Sequence, residues 1–140
     1  MLTVLDLMSA NPNTVRPETP LREVIQVMKR SECRQLPVVD EGGHLVGIVT
    51  DRDVRLVMNS PLALTGGAQD MELVECTTAG SCMTPNPITV SSDTAAYRAA
   101  EMLGTYKFGA LPVVDDDKLV GIITVTDFLE RFASEKSKIL

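Results

Sequence analysis

The chain has 140 residues, of which 44% are hydrophobic, and a formal net charge of −6. Because non-specific nucleic-acid binding depends on basic surface that neutralises phosphates, this acidic balance argues against a nucleic-acid partner. No apolar run approaches the roughly 18 residues of a membrane span, and "MLTVLDLMSANP" lacks the basic start of a signal peptide. We therefore expect a cytoplasmic protein with no membrane partner. Its three cysteines show no CxxC spacing and are expected to be free thiols.

Most of the chain consists of two copies of one sequence pattern. Residues 8–40 align with residues 83–115 with eleven identities, which include "NPNTV" over "NPITV" and "LPVVD" over "LPVVD". After a one-residue deletion, "LVGIVTDRD" (45–53) aligns with "LVGIITVTD" (119–127). Identities that cluster in three blocks are typical of a duplicated supersecondary unit.

Each copy predicts the same series of elements, in the order β-α-β-β-α. A short amphipathic stretch, "TVLDLM" or "TTAGSCM", leads to an Asn-Pro turn and a brief extended "TV". Thr19 is the expected N-cap of the next helix, with Pro20 at its first position, and the matching helix is expected to begin near Thr94. Two β-rich runs then form a hairpin. A last helix begins at Asp51 in the first copy and at Val125 in the second.

The predicted boundaries divide the chain into four parts. They are a first repeat (1–58), a linker (59–75), a second repeat (76–135) and a C-terminal tail (136–140). Neither repeat alone would bury much apolar surface. We therefore expect the two repeats to form one domain with two equivalent clefts.

The three blocks, duplicated in this order, resemble the tandem CBS domain, also called the Bateman module. The resemblance covers roughly residues 3–134. The "TDRD" motif is most similar to that of stand-alone bacterial CBS pairs of the acetoin-utilisation accessory type. It implies a mixed α/β (α+β) fold in which two β-α-β-β-α repeats pack about a pseudo-twofold axis. It also implies binding of an adenosine compound, such as AMP, ADP, ATP, S-adenosylmethionine, NAD or a cyclic dinucleotide, without chemistry on it.

The repeated T-x-x-D, at Thr50 with Asp53 and at Thr124 with Asp127, has two interpretations. A threonine followed three residues later by an acid at the start of a helix is a capping-box pattern, which needs no ligand. Alternatively, the carboxylate accepts hydrogen bonds from both hydroxyls of a ribose, while the threonine and the helix N-terminus face phosphates. The residues alone leave both open, whereas the resemblance implies the ribose and phosphate roles.

The resemblance also implies which residues line each cleft. The adenine would lie against the extended "TV" and against the "LP" that opens the hairpin. The first cleft would use Thr14, Val15, Leu36, Pro37, Thr50 and Asp53. The second cleft would use Thr89, Val90, Leu111, Pro112, Thr124 and Asp127.

The two clefts differ in their basic residues. Arg34 and Arg52 are the candidate phosphate ligands, and the second copy has Gly109 and Thr126 at the matching positions. Lys107 is a weaker candidate. The alternatives are a solvated helix end for Arg34 and a surface ion pair with the preceding aspartate for Arg52.

The chain contains no recognisable catalytic constellation. It has no Walker-type loop, HExxH motif or Ser-His-Asp set, so we expect no enzyme activity, no metal site and no required cofactor. The leading hypothesis is a regulatory module that binds an adenosine nucleotide and acts on a protein that the sequence does not identify. The alternative is a ligand-free scaffold that acts by self-association. We expect a homodimer, because the amphipathic helices carry more apolar surface than the sheets can cover.

Overall fold

The computed structural model describes residues 1–58 and 74–135. The predicted tail (136–140) lies outside the described residues, as does the predicted linker (59–75) apart from residues 74 and 75. Among the helices of the described ranges, none has the length and apolar character that a bilayer crossing needs.

Short helices alternate with short strands along the chain. In chain order the elements are α1 (Val4–Leu7), β1 (Ser9–Ala10), α2 (Leu21–Ser31), β2 (Gln35–Val39), β3 (Leu45–Thr50), α3 (Asp51–Met58), α4 (Ala79–Cys82), β4 (Thr84–Pro85), α5 (Ala96–Tyr106), β5 (Ala110–Asp115), β6 (Lys118–Thr124) and α6 (Val125–Ser134). The strands form two antiparallel sheets, in the orders β1-β6-β5 and β2-β3-β4. The predicted α+β class is confirmed. The extended "TV" of each copy is a single parallel bridge, from Val15 to Val38 and from Val90 to Val113, and not a full strand.

The chain folds into two compact units that do not coincide with the two sequence repeats. The central unit comprises Asn13–Pro87, and the terminal unit comprises Met1–Pro12 with Ile88–Leu140. Each unit therefore combines the helix–hairpin–helix part of one repeat with the first segment of the other. We call these first segments, residues 3–12 and 78–87, the lead-in segments.

The core of each unit lies between the apolar residues of its helices and one face of its hairpin. In the central unit, Leu21, Val24 and Met28 of α2 lie one helical turn apart and pack on Leu36 and Val49 of the hairpin. The terminal unit repeats this arrangement with small side chains on α5, where Ala99 and Leu103 pack on Leu111 and Ile123. Each hairpin is thus covered on one face by its own helices.

Thr19 does not cap α2. The N-cap of this helix is Pro20, and no side chain caps it. The hydroxyl of Thr19 instead accepts a hydrogen bond from the Arg16 N–H at 2.9 Å, and the Thr19 carbonyl accepts one from the Ala79 N–H at 2.8 Å. The prediction was wrong because a threonine hydroxyl closes a local turn as readily as it caps a helix.

Each lead-in segment is attached to its unit through backbone hydrogen bonds. In the terminal unit the N–H groups of Val4 and Leu5 donate to the carbonyls of Thr94 and Ser92, at 2.8 and 3.0 Å. In the central unit the N–H groups of Ala79 and Gly80 donate to the carbonyls of Thr19 and Pro17, at 2.8 and 2.9 Å. The following residues, β1 and β4, each add a third strand to a hairpin.

A glycine lies where each lead-in segment crosses a hairpin strand. A Cβ on Gly121 would lie 2.5 Å from the sulfur of Met8 and 2.9 Å from the carbonyl oxygen of Ser9. A Cβ on Gly47 would collide with the sulfur of Met83 and would lie 3.0 Å from the carbonyl oxygen of Thr84. The repeated "LVGI" therefore contains glycine because the neighbouring backbone approaches too closely for any side chain.

The second hairpin closes with an acidic two-residue turn. Asp115 pairs with Lys118, and the intervening Asp116 and Asp117 have φ of 49° and 65°. Positive φ at both central residues is the geometry of a type I′ turn, which Asp tolerates better than most residues. The Asp115 carboxylate also accepts hydrogen bonds from the hydroxyl and the N–H of Ser92, and both bonds lower its pKa, the hydroxyl bond most.

We predict that Gly121→Ala destabilises the protein by about 1–3 kcal/mol, because the added Cβ overpacks the contact with Ser9. Chemical denaturation measures the change. The matched control is Gly104→Ala in α5, where a Cβ would meet no atom within 4 Å. This control should stabilise the protein by about 0.5–1 kcal/mol, since alanine loses less backbone entropy in a helix. Equal stability of Gly121→Ala and the unsubstituted protein would contradict the close approach.

We predict that Ser92→Ala raises the pKa of Asp115 toward its ordinary value. A lowered carboxyl pKa stabilises the fold above the unfolded pKa, about pH 4, and this contribution is lost as the pH falls through the folded value. The melting temperature of Ser92→Ala should therefore be lower than that of the unsubstituted protein at pH 7. Below about pH 3 the two melting temperatures should be nearly equal. Carboxyl NMR titration measures the pKa directly. Asp116→Asn, in the same turn, is the control and should leave the Asp115 titration nearly unchanged.

Candidate functional site

In the central unit, Thr50 and Asp53 form a complete capping box at the start of α3. The Thr50 N–H donates to Oδ2 of Asp53 at 2.9 Å, and the Asp53 N–H donates to the Thr50 hydroxyl at 3.1 Å. Both residues are half-buried. The capping-box interpretation of the T-x-x-D motif is therefore observed in this copy.

The terminal unit repeats the capping box at the start of α6. The Thr124 N–H donates to Oδ2 of Asp127 at 2.8 Å, and the Asp127 N–H donates to the Thr124 hydroxyl at 3.2 Å. Because the same four groups form the same two bonds, the two copies are geometrically equivalent at this point.

The capping box leaves part of each motif available to a ligand. Within residues 1–58 and 74–135, Oδ1 of Asp53 and Oδ1 of Asp127 make no hydrogen bond. A carboxylate accepts about four hydrogen bonds, so one oxygen can serve the cap while the other accepts from a ribose. The threonine hydroxyl accepts a bond in the cap, and its proton remains free to be donated. Helix capping and ligand binding are thus compatible in one motif.

The first turn of α3 offers one unused amide. The N–H of Asp51 donates to the carbonyl of Arg34 at 2.8 Å, and that of Asp53 is used by the cap. The amide of Arg52, between them, donates to no residue in the described part of the chain. An N–H at the start of a helix, together with the positive end of the helix dipole, attracts anions such as phosphate.

The "TV" segment and the start of the hairpin lie at the same end of the central sheet as the capping box. The Val15 N–H donates to the Pro37 carbonyl at 3.1 Å, and the Val39 N–H donates to the Val15 carbonyl at 3.0 Å. In the hairpin, Gln35 pairs with Thr50. The exposed Thr14 therefore directly precedes the bridge residue Val15, which lies beside Pro37 near the end where β3 passes into α3.

The terminal unit has the same connections. The Val90 N–H donates to the Pro112 carbonyl at 3.1 Å, Ala110 pairs with Thr124, and Thr89 is exposed. These bonds and pairings place the six residues that the resemblance implies for each cleft at the same end of one sheet.

The apolar residues that the resemblance implies for the two clefts are buried too deeply for their side chains to contact an adenine ring. Leu36 and Val15 belong to the core of the central unit and expose 1% and 5% of their surfaces. Their counterparts Leu111 and Val90 belong to the core of the terminal unit, and Pro37 and Pro112 are fully buried. In this conformation these residues lie beneath the candidate site and not at its surface.

Arg34 and Arg52 are both exposed at the start of α3. The ion pair that we considered for Arg52 is instead formed by Arg55, whose Nη1 lies 2.8 Å from Oδ2 of Asp51. In the part of the chain that the structure describes, neither Arg34 nor Arg52 makes an ion pair. Both guanidinium groups are therefore available to a phosphate.

The sequence patterns did not reveal that Cys82 lies near Asp53. The helix α4 packs against α3, and the half-buried thiol of Cys82 packs on the core of the central unit. Burial raises the pKa of this thiol, and the negative charge of Asp53 raises it further. The thiol therefore stays protonated at neutral pH. The matching residue in the other lead-in segment is Leu7, so no motif pointed to this position.

Within the described ranges, no group of three or more His, Cys, Asp or Glu side chains could hold a metal ion. The three cysteines, Cys33, Cys76 and Cys82, are free.

Comparisons with known proteins identify the family. The family model of the CBS domain matches residues 4–60 and 79–134, one match for each sequence repeat. The chain belongs to the CBS domain family. The predicted resemblance to a tandem CBS module is therefore confirmed.

Relatives of this CBS pair include proteins of similar length and longer enzymes. It is 33% identical over 128 residues to a CBS domain-containing protein of Dictyostelium discoideum, covering 91% of this chain and 88% of that protein. It is 32% identical over 125 residues to an inosine-5′-monophosphate dehydrogenase of Aquifex aeolicus, covering 89% of this chain and 23% of the enzyme. The chain thus spans about a quarter of such enzymes.

Solved CBS pairs share the fold over nearly the whole chain. CBSX2 of Arabidopsis thaliana, determined in complex with AMP, is 31% identical with a TM-score of 0.81 over 97% of this chain and 99% of that one. The CBS domain pair of MJ0100, in complex with 5′-methylthioadenosine and S-adenosyl-L-methionine, is 28% identical with a TM-score of 0.82 over 96% and 98%. A candidate acetoin utilization protein of Vibrio cholerae, AcuB, is 28% identical with a TM-score of 0.82 over 99% and 97%.

Proposed function

We propose that this CBS pair is a non-catalytic regulatory module that binds adenosine-containing ligands at the two T-x-x-D sites. The observation that carries the proposal is the unused carboxylate oxygen of Asp53 and of Asp127, each beside a helix N-terminus. The ligands of CBSX2 and of the MJ0100 pair support the adenosine class. We further propose that the module regulates a protein partner.

Within each site the roles follow from the hydrogen-bonding groups. The free oxygen of the aspartate accepts from the ribose hydroxyls, and the threonine hydroxyl donates to the ligand. In the central unit the amide of Arg52 and the side chains of Arg34 and Arg52 bind the 5′-phosphate. Arginine suits this role because its planar group donates two parallel hydrogen bonds to phosphate.

We predict that Asp53→Glu weakens adenosine and AMP binding at the central site by about 10- to 150-fold, the effect of losing one charged hydrogen bond. Glutamate is the usual acid of a capping box, so this variant keeps the helix cap while it moves the carboxylate by one methylene. Asp127→Glu makes the matching test in the terminal unit. Titration calorimetry gives the affinities, and thermal unfolding should show little change.

The outcomes separate the two interpretations of the motif. If Asp53→Glu and Asp127→Glu together bind adenosine, AMP, ATP and S-adenosylmethionine as the unsubstituted protein does, the motif is a helix cap alone. The non-catalytic part has its own test, since chromatography of each ligand after long incubation should recover it unchanged. A product whose formation the double variant abolishes would contradict that part.

An apolar helical face supports self-association, the second candidate function. Leu5 of α1, Tyr97 of α5, and Leu129 and Phe132 of α6 expose 59–64% of their surfaces. Tyr97 and Phe132 also line a groove of about 350 Å³, together with Met1, Leu7 and Phe128. Exposed apolar patches of this kind mark interaction sites in soluble proteins. In the helices α2 and α3 of the central unit, Leu56 is the large hydrophobic residue with comparable exposure.

We predict a homodimer that buries this face. Light scattering should give about twice the 15.2 kDa of one chain, and Leu129→Glu with Phe132→Glu should reduce the mass to that of a monomer, because two charges would be desolvated in the interface. Leu56→Glu is the control and should leave the dimer largely intact. A mass of 15.2 kDa at all concentrations would refute the dimer.

A further inference from the structure

A methionine covers the glycine at which each lead-in segment crosses its hairpin. Met8 follows α1 and packs on the core of the terminal unit, and Met83 follows α4 and packs on the core of the central unit. The two residues hold equivalent places in the backbone. The N–H of Met8 donates to the carbonyl of Val4 at 2.8 Å, and that of Met83 donates to the carbonyl of Ala79 at 2.9 Å. The fold therefore uses the same thioether contact twice.

Each thioether lies directly against the backbone of a hairpin strand. A Cβ on Gly121 would lie 2.5 Å from Sδ of Met8 and 3.2 Å from its Cε. A Cβ on Gly47 would collide with Sδ of Met83 and would lie 2.9 Å from its Cγ. The sulfur thus occupies the space in which any side chain of the strand would begin. On the side that faces the strand, neither sulfur has room for another atom.

The chemistry of the thioether makes this contact sensitive to oxidants. Met8 and Met83 are both half-buried, whereas Met28 in the core exposes only 8% of its surface. A hydroperoxide transfers one oxygen to such a sulfur: the O–O bond breaks, the sulfur is oxidised to a sulfoxide, and the peroxide is reduced to water or an alcohol. The sulfoxide is polar, and its oxygen accepts hydrogen bonds. The carbonyl oxygens of Ser9 and Thr84, which adjoin the two glycines, are acceptors as well and offer it no donor.

We propose that Met8 and Met83 are paired modification sites, at which a hydroperoxide forms a sulfoxide that displaces the lead-in segment from its hairpin. Without β1 or β4, the hairpin has two strands and is marginally stable. Dedicated reductases convert methionine sulfoxide back to methionine, so the change is reversible. This inference does not depend on ligand binding and adds a redox response to the fold.

The strands that lose a neighbour lead directly to the capping boxes. Gly47 precedes Thr50 by three residues in β3, and Gly121 precedes Thr124 by three residues in β6. When β1 or β4 is displaced, the strand that ends at the capping-box threonine is paired on one side only. If the proposed function holds, oxidation therefore also weakens nucleotide binding at both T-x-x-D sites.

The test treats the native protein with hydrogen peroxide and then with dithiothreitol, which reverses any disulfide of the free cysteines. Peptide mass mapping should find one added oxygen on Met8 and on Met83, and the melting temperature should fall by about 3–10 °C, the effect of overpacking in a chain of this size. Met8→Leu with Met83→Leu conserves volume and removes both sulfurs, so its melting temperature should not respond to peroxide. Each single variant should show a smaller fall. Met102→Leu is the matched control, since Met102 is half-buried on α5 and packs on the terminal core, and it should respond as the unsubstituted protein does.

Three results would each overturn the inference. Met8 and Met83 could remain unmodified at a peroxide concentration that oxidises Met1, which exposes 96% of its surface. They could be oxidised without a fall in melting temperature, or the double leucine variant, which keeps all three cysteines, could lose as much as the unsubstituted protein. Recovery of the melting temperature after treatment with a methionine sulfoxide reductase would support it.

Titration with AMP before and after peroxide tests the effect on the binding sites separately. If the oxidised protein binds AMP as tightly as the untreated protein, the effect on the T-x-x-D sites is wrong. If the untreated protein binds no adenosine ligand, the proposed function fails, while the melting temperatures still decide whether Met8 and Met83 are the oxidation sites.

Discussion

The fold depends on the pairing of each lead-in segment with a hairpin that belongs to the other sequence repeat. A hairpin of two strands is marginally stable in water, and a third strand with a covered face is needed for an independent sheet. The strands β1 and β4 supply it, and Gly121 and Gly47 permit the close approach. Because each unit takes a segment from the other repeat, neither repeat contains all of the strands of its own sheet.

The same strands that receive the lead-in segments deliver the functional groups. β3 and β6 each begin near the hairpin turn, pass the glycine and end at the threonine of a capping box. The cap fixes the aspartate by one oxygen, which leaves the second oxygen at a defined place beside a helix N-terminus. Helix capping and the proposed ligand binding therefore use one side chain, and this is why the T-x-x-D pattern alone could not separate a helix cap from a ribose site.

Much of this architecture could be predicted from the sequence, because periodicity and duplication report local structure. The helices, both hairpins and the position of Asp53 and Asp127 followed from the patterns. The exchange of lead-in segments did not, since "TVLDLM" is equally amphipathic whichever hairpin it packs on. Thr19 was misassigned because a threonine hydroxyl can close a local turn as well as cap a helix, and here it accepts from the Arg16 N–H. The deep burial of Leu36 and Leu111 was also missed, because "LP" shows that a strand begins but not which of its faces is covered.

The two capping boxes share their geometry but differ in the residues around them, because Cys82 lies near Asp53 and the matching residue of the other lead-in segment is Leu7. The backbone bonds that position the two carboxylates are the same in both units, so the differences in the surrounding side chains do not alter these bonds. In the proposed central site, Arg34 adds a charge that favours phosphate, whereas Gly109, at the matching position of the terminal unit, adds none. Under the proposed function, two ligands that differ in the 5′ group would then bind the two units with different affinities. If the module regulates a partner, the ratio of phosphorylated to unphosphorylated adenosine ligands is the quantity that two such sites in one chain can report.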